Sequence, residues 1–391
     1  MQVAPTRPAM FTAEHDDFRA MVRDVVEREI NPYVDDWEEA GIFPAHELLP
    51  KLGKLGLLGL EYETEYGGGG ADHSYTVVFG EELGRIAANG PAMAISAQAD
   101  MATPSLARFG TPELKERYLR PAIAGEHVCS IAVTEPDAGS DVAALRTRAV
   151  RDGDDWVING SKIFITNGTQ ADWLCLLVRT SGEGGYRGMS QIVFPTDTPG
   201  FRVSRSLKKL GNKSSDTAEL AFEDCRVPVG NTIGEIGRGF QQQMAQFQNE
   251  RMIANYIAVG QMQVAIDRTV EYLRSRAVFG RPLIEHQHIQ MQLSELVADL
   301  DLLRQYNYSI AEAYLRGEDT SWSATVAKLT AGRLIRRVAD TCIQFHGGMG
   351  YMEETWIARF FRDTRLLSIG GGADEVMLRT IAKMSGWPTS P

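Results

Sequence analysis

The sequence predicts an α+β chain in three parts: an N-terminal helical domain at 11–127, a middle antiparallel β-barrel or sandwich at 128–234, and a C-terminal four-helix bundle at 235–386. Apolar residues recur at three- and four-residue steps before about residue 125 and again after Gly234, the period of helices that bury one face. Between those regions the runs are short and β-rich, separated by turn residues. The last helical patterns are long and closely joined, which suits an antiparallel bundle.

Thr12 is positioned to cap a first helix with Phe18, Val22, Val25 and Ile30 on one side and acidic residues in its first turn. A second helix spans about 45–57. The run Gly67-Gly68-Gly69-Gly70 follows no strand and lacks the G-x-G-x-x-G order, so it reads as a turn and not as a phosphate cradle. Tyr75, Val78, Phe79, Leu83 and Ile86 mark the next helix. Thr111-Pro112-Glu113 then supplies a cap, a first-turn proline and an acid for another. In the middle part Asp152-Gly153 and Asn159-Gly160 read as hairpin turns among strands at 156–158, 163–166, 173–179, 191–194 and 219–227. Helices at 240–274, 286–316, 321–345 and about 375–385 complete the chain. The first of these is about 50 Å long at 1.5 Å per residue.

The net charge of −11 disfavours partners such as nucleic acid or an anionic membrane. The four cysteines are scattered without a CxxC pair, which argues against a zinc site or a disulfide framework and for reduced thiols in a cytoplasmic protein. His286 and His288 do not share a helix face, and the histidines show no metal-ligand spacing, so no metal is expected. No apolar run reaches 18 residues. The N-terminal stretch has no signal-peptide core, and Glu14, Asp16 and Asp17 speak against a transit peptide.

Near the start of the long 240–274 helix stands Gln248-Asn249-Glu250-Arg251. Glu250 is three residues after Phe247 and four before Ala254, so it shares a face with apolar side chains. A carboxylate placed there loses hydration, its pKa rises, and it becomes a better proton acceptor. The competing reading is a solvated Glu at the edge of that face.

Three longer strings bear on the choice. They are Val133-Thr134-Glu135-Pro136-Asp137-Ala138-Gly139-Ser140-Asp141, Arg276-Ala277-Val278-Phe279-Gly280 with Glu285-His286-Gln287, and Gln344-Phe345-His346-Gly347-Gly348-Met349-Gly350-Tyr351. In this order they resemble the signatures of the acyl-CoA dehydrogenase family, and the likeness runs from about Phe11 to Ser385. The resemblance implies FAD as cofactor and α,β-dehydrogenation of a fatty acyl-CoA to a trans-2-enoyl-CoA. It also implies electron transfer to an electron-transferring flavoprotein and a homotetramer built from two dimers. Ile131, Val133, Thr134 and Ser140 would line the flavin ring and its edge, with Ser140 also near the substrate. Phe164 and Thr166 match positions that pack on and bond to the ring, Phe164 standing where many relatives carry Trp. Arg276, Phe279, Gln287, Gln344 and Gly348 match positions that bind the cofactor across a subunit interface.

In much of the family the base follows the arginine-aspartate string, here Arg362-Asp363. That position falls on Gly371, which has no side chain but keeps a backbone N–H able to polarise the thioester oxygen. The isovaleryl-CoA and long-chain branches instead carry the base on the long helix before an arginine, and Glu250-Arg251 fits that arrangement. Arg251 matches a residue that contacts the CoA moiety, and Lys208, Lys209 and Lys213 are candidates to add positive charge, the role of Lys213, where the family often has Arg, being left open. Asp374 and Glu375 are rival acids beyond the aligned base position, Glu375 reading as a flavin contact or a cap of the last helix. A general likeness to the citronellyl-type members of that branch suggests room for a branched or bulky acyl chain. Other readings are a flavin oxidase or hydroxylase on the same fold, and a non-catalytic nucleic-acid-associated member, which the negative charge disfavours.

Overall fold

A computed structural model describes residues 8–388. The reading of the N-terminal stretch as carrying no leader falls largely on residues 1–7, outside the described residues. Helices α1 (Ala13–Val25), α2 (Val34–Ala40), α3 (Ala45–Lys54), α4 (His73–Leu83), α5 (Asn89–Ser96) and α6 (Pro104–Phe109) come first. The short α7 (Pro112–Leu114) and α8 (Arg120–Ile123) follow. Thr12 does begin α1, but its partner three residues on is a histidine: the Thr12 amide donates to His15 Nδ1 at 3.1 Å. Thr111 accepts from the Leu114 amide, as its sequence context predicts. Between α5 and α6 the chain widens into a π-helical turn, Ala97–Ala102, a device frequent at functional sites.

The middle domain holds β1 (Cys129–Ala132), β2 (Arg148–Asp152), β3 (Asp155–Thr166), β4 (Trp173–Arg179), β5 (Met189–Pro195), β6 (Phe201–Ser206), β7 (Thr217–Pro228) and β8 (Thr232–Ile233). Their order is β6-β7-β3-β2-β4-β5-β8, with β1 added alongside β4. Most pairings are antiparallel as expected, but β1 and the first residue of β2, Arg148, pair parallel with β4. Asp152-Gly153 does turn between β2 and β3. Asn159-Gly160 does not: it lies inside β3, at a register shift against β7. The physical reason is a close approach that the dipeptide alone does not reveal. A Cβ on Gly160 would lie 2.5 Å from Thr147 Oγ1, so the glycine admits the neighbouring chain and bends the strand. The sequence reading also passed over β6, an exposed edge strand with little apolar alternation.

The C-terminal part is built on α9 (Gly239–Ser275), followed after a small hairpin, β9 (Ala277–Val278) and β10 (Arg281–Pro282), by α10 (Gln287–Leu315) and α11 (Ser321–Phe345). Two shorter helices, α12 (Trp356–Thr364) and α13 (Asp374–Met384), pack on α11. The expected bundle therefore gains α12, whose nine residues were too few to stand out by period. The two helical parts share one apolar core, in which Val26, Leu49 and Phe79 join Ile253, Met262, Leu300 and Ile335. The sheet has its own core around Trp156, Ile158, Leu176 and Phe222.

Two contacts fix how these layers meet. Where α4 crosses α9, backbone meets backbone: a Cβ on Gly260 would stand 2.1 Å from the Glu81 carbonyl oxygen, and one on Gly84 2.4 Å from that of Ile257. Behind the segment that follows β1, Lys162 Nζ donates to the Val133 carbonyl at 2.8 Å and to Glu135 Oε1 at 2.9 Å. Glu135 also accepts from the Arg146 and Thr147 amides at 2.7 and 2.9 Å. Burial drives the Lys162 ammonium down to about 8, against the pull of Glu135. The Glu135 carboxyl lies below its ordinary value: burial opposes the shift, while the Lys162 charge and these donors outweigh it.

Gly260→Ala is expected to lower stability by about 1–3 kcal/mol through overpacking of backbone on backbone, read as a fall in the denaturant midpoint. Glu135→Leu leaves a buried ammonium without its partner and is expected to cost about 3–5 kcal/mol. The double replacement with Lys162→Met should recover most of that loss in the same measurement.

Candidate active site

Glu250 sits on the fourth turn of α9 and is buried, 7% exposed. Gln246, one turn earlier, donates from Nε2 to Glu250 Oε1 at 3.1 Å and also to the Met101 carbonyl, while Ser105 Oγ donates to Gln246 Oε1. The carboxyl is thereby tied to the Ala97–Ala102 turn and to α6. On its other side stands the middle sheet. The Cys175 thiol is pushed up to about 12 by burial and by the Glu250 charge, and Cys175 is the register partner of Ile131 across β4 and β1. Phe240 and Phe247 of α9 pack with Ile131 and Val133.

Burial pushes the Glu250 carboxyl up to about 8; the Gln246 hydrogen bond and the Arg251 charge oppose this, and Asp100 adds to it. Arg251 is half-buried, with its guanidinium pKa lowered by burial against the pull of Glu250. Its Nε is enclosed and has no hydrogen-bond partner among the described residues.

Gly371 lies in the turn between α12 and α13 with φ +64°, and a Cβ there would meet nothing within 4 Å. Lys328 of α11, itself buried, donates from Nζ to the Gly372 carbonyl. Burial lowers the Lys328 ammonium to about 8, with Asp374 and Glu375 raising it and Arg251 lowering it. Lys328 thus feels the charge of Arg251 on α9 as well as those of the first turn of α13, while its ammonium holds the Gly371 turn through the Gly372 carbonyl. The rival acids are differently employed. Asp374 pairs with Arg336 at 3.1 Å, and Glu375 is exposed in the first turn of α13. Ala373 is the N-cap there, so Glu375 does not fill the capping position.

Of the residues expected at a flavin edge, Ile131 is in β1, Phe164 and Thr166 are in β3, and Val133, Thr134 and Ser140 lie in the segment that follows β1. Ile131, Thr134 and Thr166 are half-buried, Val133 is buried and Ser140 is exposed. The Thr134 carbonyl accepts from the Ile163 amide at 2.9 Å. Phe164 adopts φ +63° at a register shift of β3, and the residue is 65% exposed. A bulky residue in the left-handed region with its ring in solvent is strained as well as poorly buried. Among the lysines expected to add charge, Lys209 is folded into its own loop, donating to Ser215 Oγ and Thr217 Oγ1 at 3.0 Å each. Lys213 pairs with Glu353 at 2.7 Å, and Lys208 is exposed.

Arg276, Phe279, Gln287, Gln344 and Gly348 gather elsewhere, where the C-terminal end of α9 meets the start of α10 and the end of α11. All five are exposed, and Arg276 forms no ion pair among the described residues. Along α9 the distance from Glu250 to Arg276 is about 39 Å at 1.5 Å per residue. The chain thus brings the expected residues into two groups and not one.

Sequence reasoning passed over Asp100, Lys328 and the Glu135–Lys162 pair. Asp100 was visible as a lone acid among small and apolar residues in Ala97-Gln98-Ala99-Asp100-Met101-Ala102. Its carboxyl is pushed up to about 7 by burial, the Ser96 hydroxyl opposing and the Glu61 charge adding. No metal-ligating cluster occurs among the described residues, and no helix among them is long and apolar enough to cross a membrane.

Family models for the acyl-CoA dehydrogenase N-terminal, middle and C-terminal domains match residues 12–126, 130–225 and 237–386. A mitochondrial long-chain specific acyl-CoA dehydrogenase of Rattus norvegicus is 37% identical over 376 residues, covering 96% of this chain and 87% of that protein. Among solved structures, a putative acyl-CoA dehydrogenase from Mycobacterium smegmatis superposes with a TM-score of 0.95 at 41% identity, covering 98% of this chain and 100% of the other. The butyryl-CoA dehydrogenase of Megasphaera elsdenii gives 0.92 at 32% identity, over 97% and 100% of the two chains. Matched in all three domains and related over almost its whole length, the chain belongs to the acyl-CoA dehydrogenase family.

Proposed function

We propose that this chain dehydrogenates an acyl-CoA thioester between its α- and β-carbons, with Glu250 as the base, to give a trans-2-enoyl-CoA. The observation that carries the reading is the buried Glu250 carboxyl, whose charge reaches Cys175 of the sheet, with Arg251 next to it in the helix. A desolvated carboxylate with a raised pKa is suited to abstracting a weakly acidic α-proton. Gln246 holds the carboxyl in place before the proton arrives, so little reorganisation is needed at the moment of transfer. The Gly371 N–H is the donor proposed for the thioester oxygen, where one well-placed donor contributes about 10²–10³ in rate. Lys328 steadies that turn through the Gly372 carbonyl. The unpaired Arg251 Nε supports a contact with the CoA moiety.

The exposed Phe164, together with Thr166, Ile131, Val133, Thr134 and Ser140, is proposed to hold an isoalloxazine, and FAD bound there would supply the acceptor for the β-hydride. Arg276, Phe279, Gln287, Gln344, Gly348 and Glu375 are the remaining proposed cofactor contacts. Arg276 lies about 39 Å along α9 from Glu250, so its group would serve a cofactor on another copy of the chain. That supports an oligomer, and the homotetramer of two dimers is the assembly proposed. An electron-transferring flavoprotein is the proposed acceptor.

Glu250→Gln should keep its flavin but bleach about 10²–10⁴-fold more slowly under anaerobic acyl-CoA. Bleaching at the wild-type rate would show that the base lies elsewhere. Because the base must be ionised to accept a proton, kcat/KM for flavin reduction should rise with pH through a midpoint near 8, the value to which burial pushes Glu250.

A further inference from the structure

The Glu250 carboxyl accepts a hydrogen bond from the Gln246 amide, and an amide can point two ways. It carries two N–H donors on one side and an acceptor oxygen on the other, and a half-turn about its last bond exchanges them. With Nε2 toward Glu250 the amide donates to Oε1 at 3.1 Å, which favours the ionised carboxylate. Reversed, it would set an oxygen against the carboxyl and favour the protonated acid, which cannot take a proton. The direction of Gln246 therefore decides whether the proposed base is ready.

Two groups of the N-terminal domain set that direction. The Met101 carbonyl, which can only accept, takes an N–H from Gln246 Nε2, and Ser105 Oγ in the first turn of α6 donates to Gln246 Oε1. Both sides of the amide are thereby engaged. Gln242 and Gln243, also buried on α9, each leave one amide atom without a partner among the described residues. The frame behind Ser105 is itself fastened. Tyr62 donates its hydroxyl to the Ala99 carbonyl at 2.8 Å, and Thr103 Oγ1 donates to the Gln98 carbonyl at 3.1 Å. The Gln98 side chain donates to the His127 carbonyl at 2.8 Å and accepts from the Cys129 amide at 2.7 Å, which ties the Ala97–Ala102 turn to the start of β1.

We propose that Ser105 is a positioning residue for the dehydrogenation: acting through the Gln246 amide, its hydroxyl keeps the donor side of that amide on the Glu250 carboxyl. This rests on Glu250 being the base, as proposed above. Ser105 and Gln246 are both buried, so removing the hydroxyl leaves Oε1 enclosed without its donor and loosens the amide. The other charged or titratable groups that interact with Glu250 are Arg251 on its own helix, Asp100 of the turn and Cys175 of the sheet, and the variants below leave all three in place.

The test uses the flavin-loaded protein and whichever of butyryl-, octanoyl- and isovaleryl-CoA bleaches the wild type fastest under anaerobic conditions, followed across pH. Ser105→Ala should raise the pH midpoint of kcat/KM by about one unit, the order expected for losing one hydrogen bond to a carboxylate, and so lower kcat/KM at pH 7 about tenfold. KM should change by less than about twofold, because the hydroxyl reaches the reaction only through Gln246. Ser105→Thr, which keeps a hydroxyl, should hold the wild-type midpoint. In a Gln246→Met background, Ser105→Ala should move the midpoint no further, since the group it acts through is gone. An unfolded fraction lowers apparent kcat but shifts neither KM nor the midpoint, so poor folding does not imitate the result. A wild-type midpoint in Ser105→Ala, or a full shift that persists beside Gln246→Met, would overturn the positioning role and leave the base standing. Glu250→Gln bleaching at the wild-type rate would overturn both.

Discussion

The architecture turns on keeping one carboxyl out of water where three layers meet. Glu250 belongs to a helix of the C-terminal part, its hydrogen-bonding neighbours lead to the N-terminal π-helical turn, and Cys175 behind it belongs to the sheet. None of the three parts alone would bury it. The value near 8 is therefore a property of the assembled domains, and the bulk of the shared helical core serves to hold that junction closed. The backbone contact of α4 with α9 sets the depth at which the junction forms, because glycines there admit a closeness that side chains would forbid.

The same logic explains the buried ions nearby. Lys162 and Glu135 are costly to desolvate, and burial of such a pair contributes little to net stability. What the pair does is hold the Val133-Thr134-Glu135 segment against β3 in one position, with the Val133 carbonyl as a third partner. Lys328 has a comparable relation to the Gly370-Gly371-Gly372 turn: a flexible glycine run becomes a defined one because an ammonium grips one of its carbonyls. Rigid placement is thus obtained around the junction from charges located one layer back.

Much of this was legible in the chain. Long helices announce themselves by period, and the helix at Ser321–Phe345 has the bounds its pattern suggests. The break at about residue 128, the absence of a side chain at Gly371 and the apolar face holding Glu250 were also readable from residues and the family strings. What failed was what depends on distant neighbours. Asn159-Gly160 has the local chemistry of a turn, but Thr147 on the adjacent chain converts it into a bend within one strand. The Lys162–Glu135 pair spans 27 residues, and no local pattern announces it. Asp100 could be noticed as an acid out of place, yet the burial that raises its carboxyl follows only from the packing around it.

Cys175 shows what this packing would entail for the proposed product. An enoyl thioester is electrophilic at its β-carbon, and the species that adds to such carbons is a thiolate, not a thiol. The sulfur lies next to the proposed base, yet burial and the adjacent negative charge keep its pKa near 12. At any physiological pH it stays protonated and poorly nucleophilic. The environment that raises the Glu250 carboxyl would thereby also guard the protein against alkylation by the proposed enoyl product.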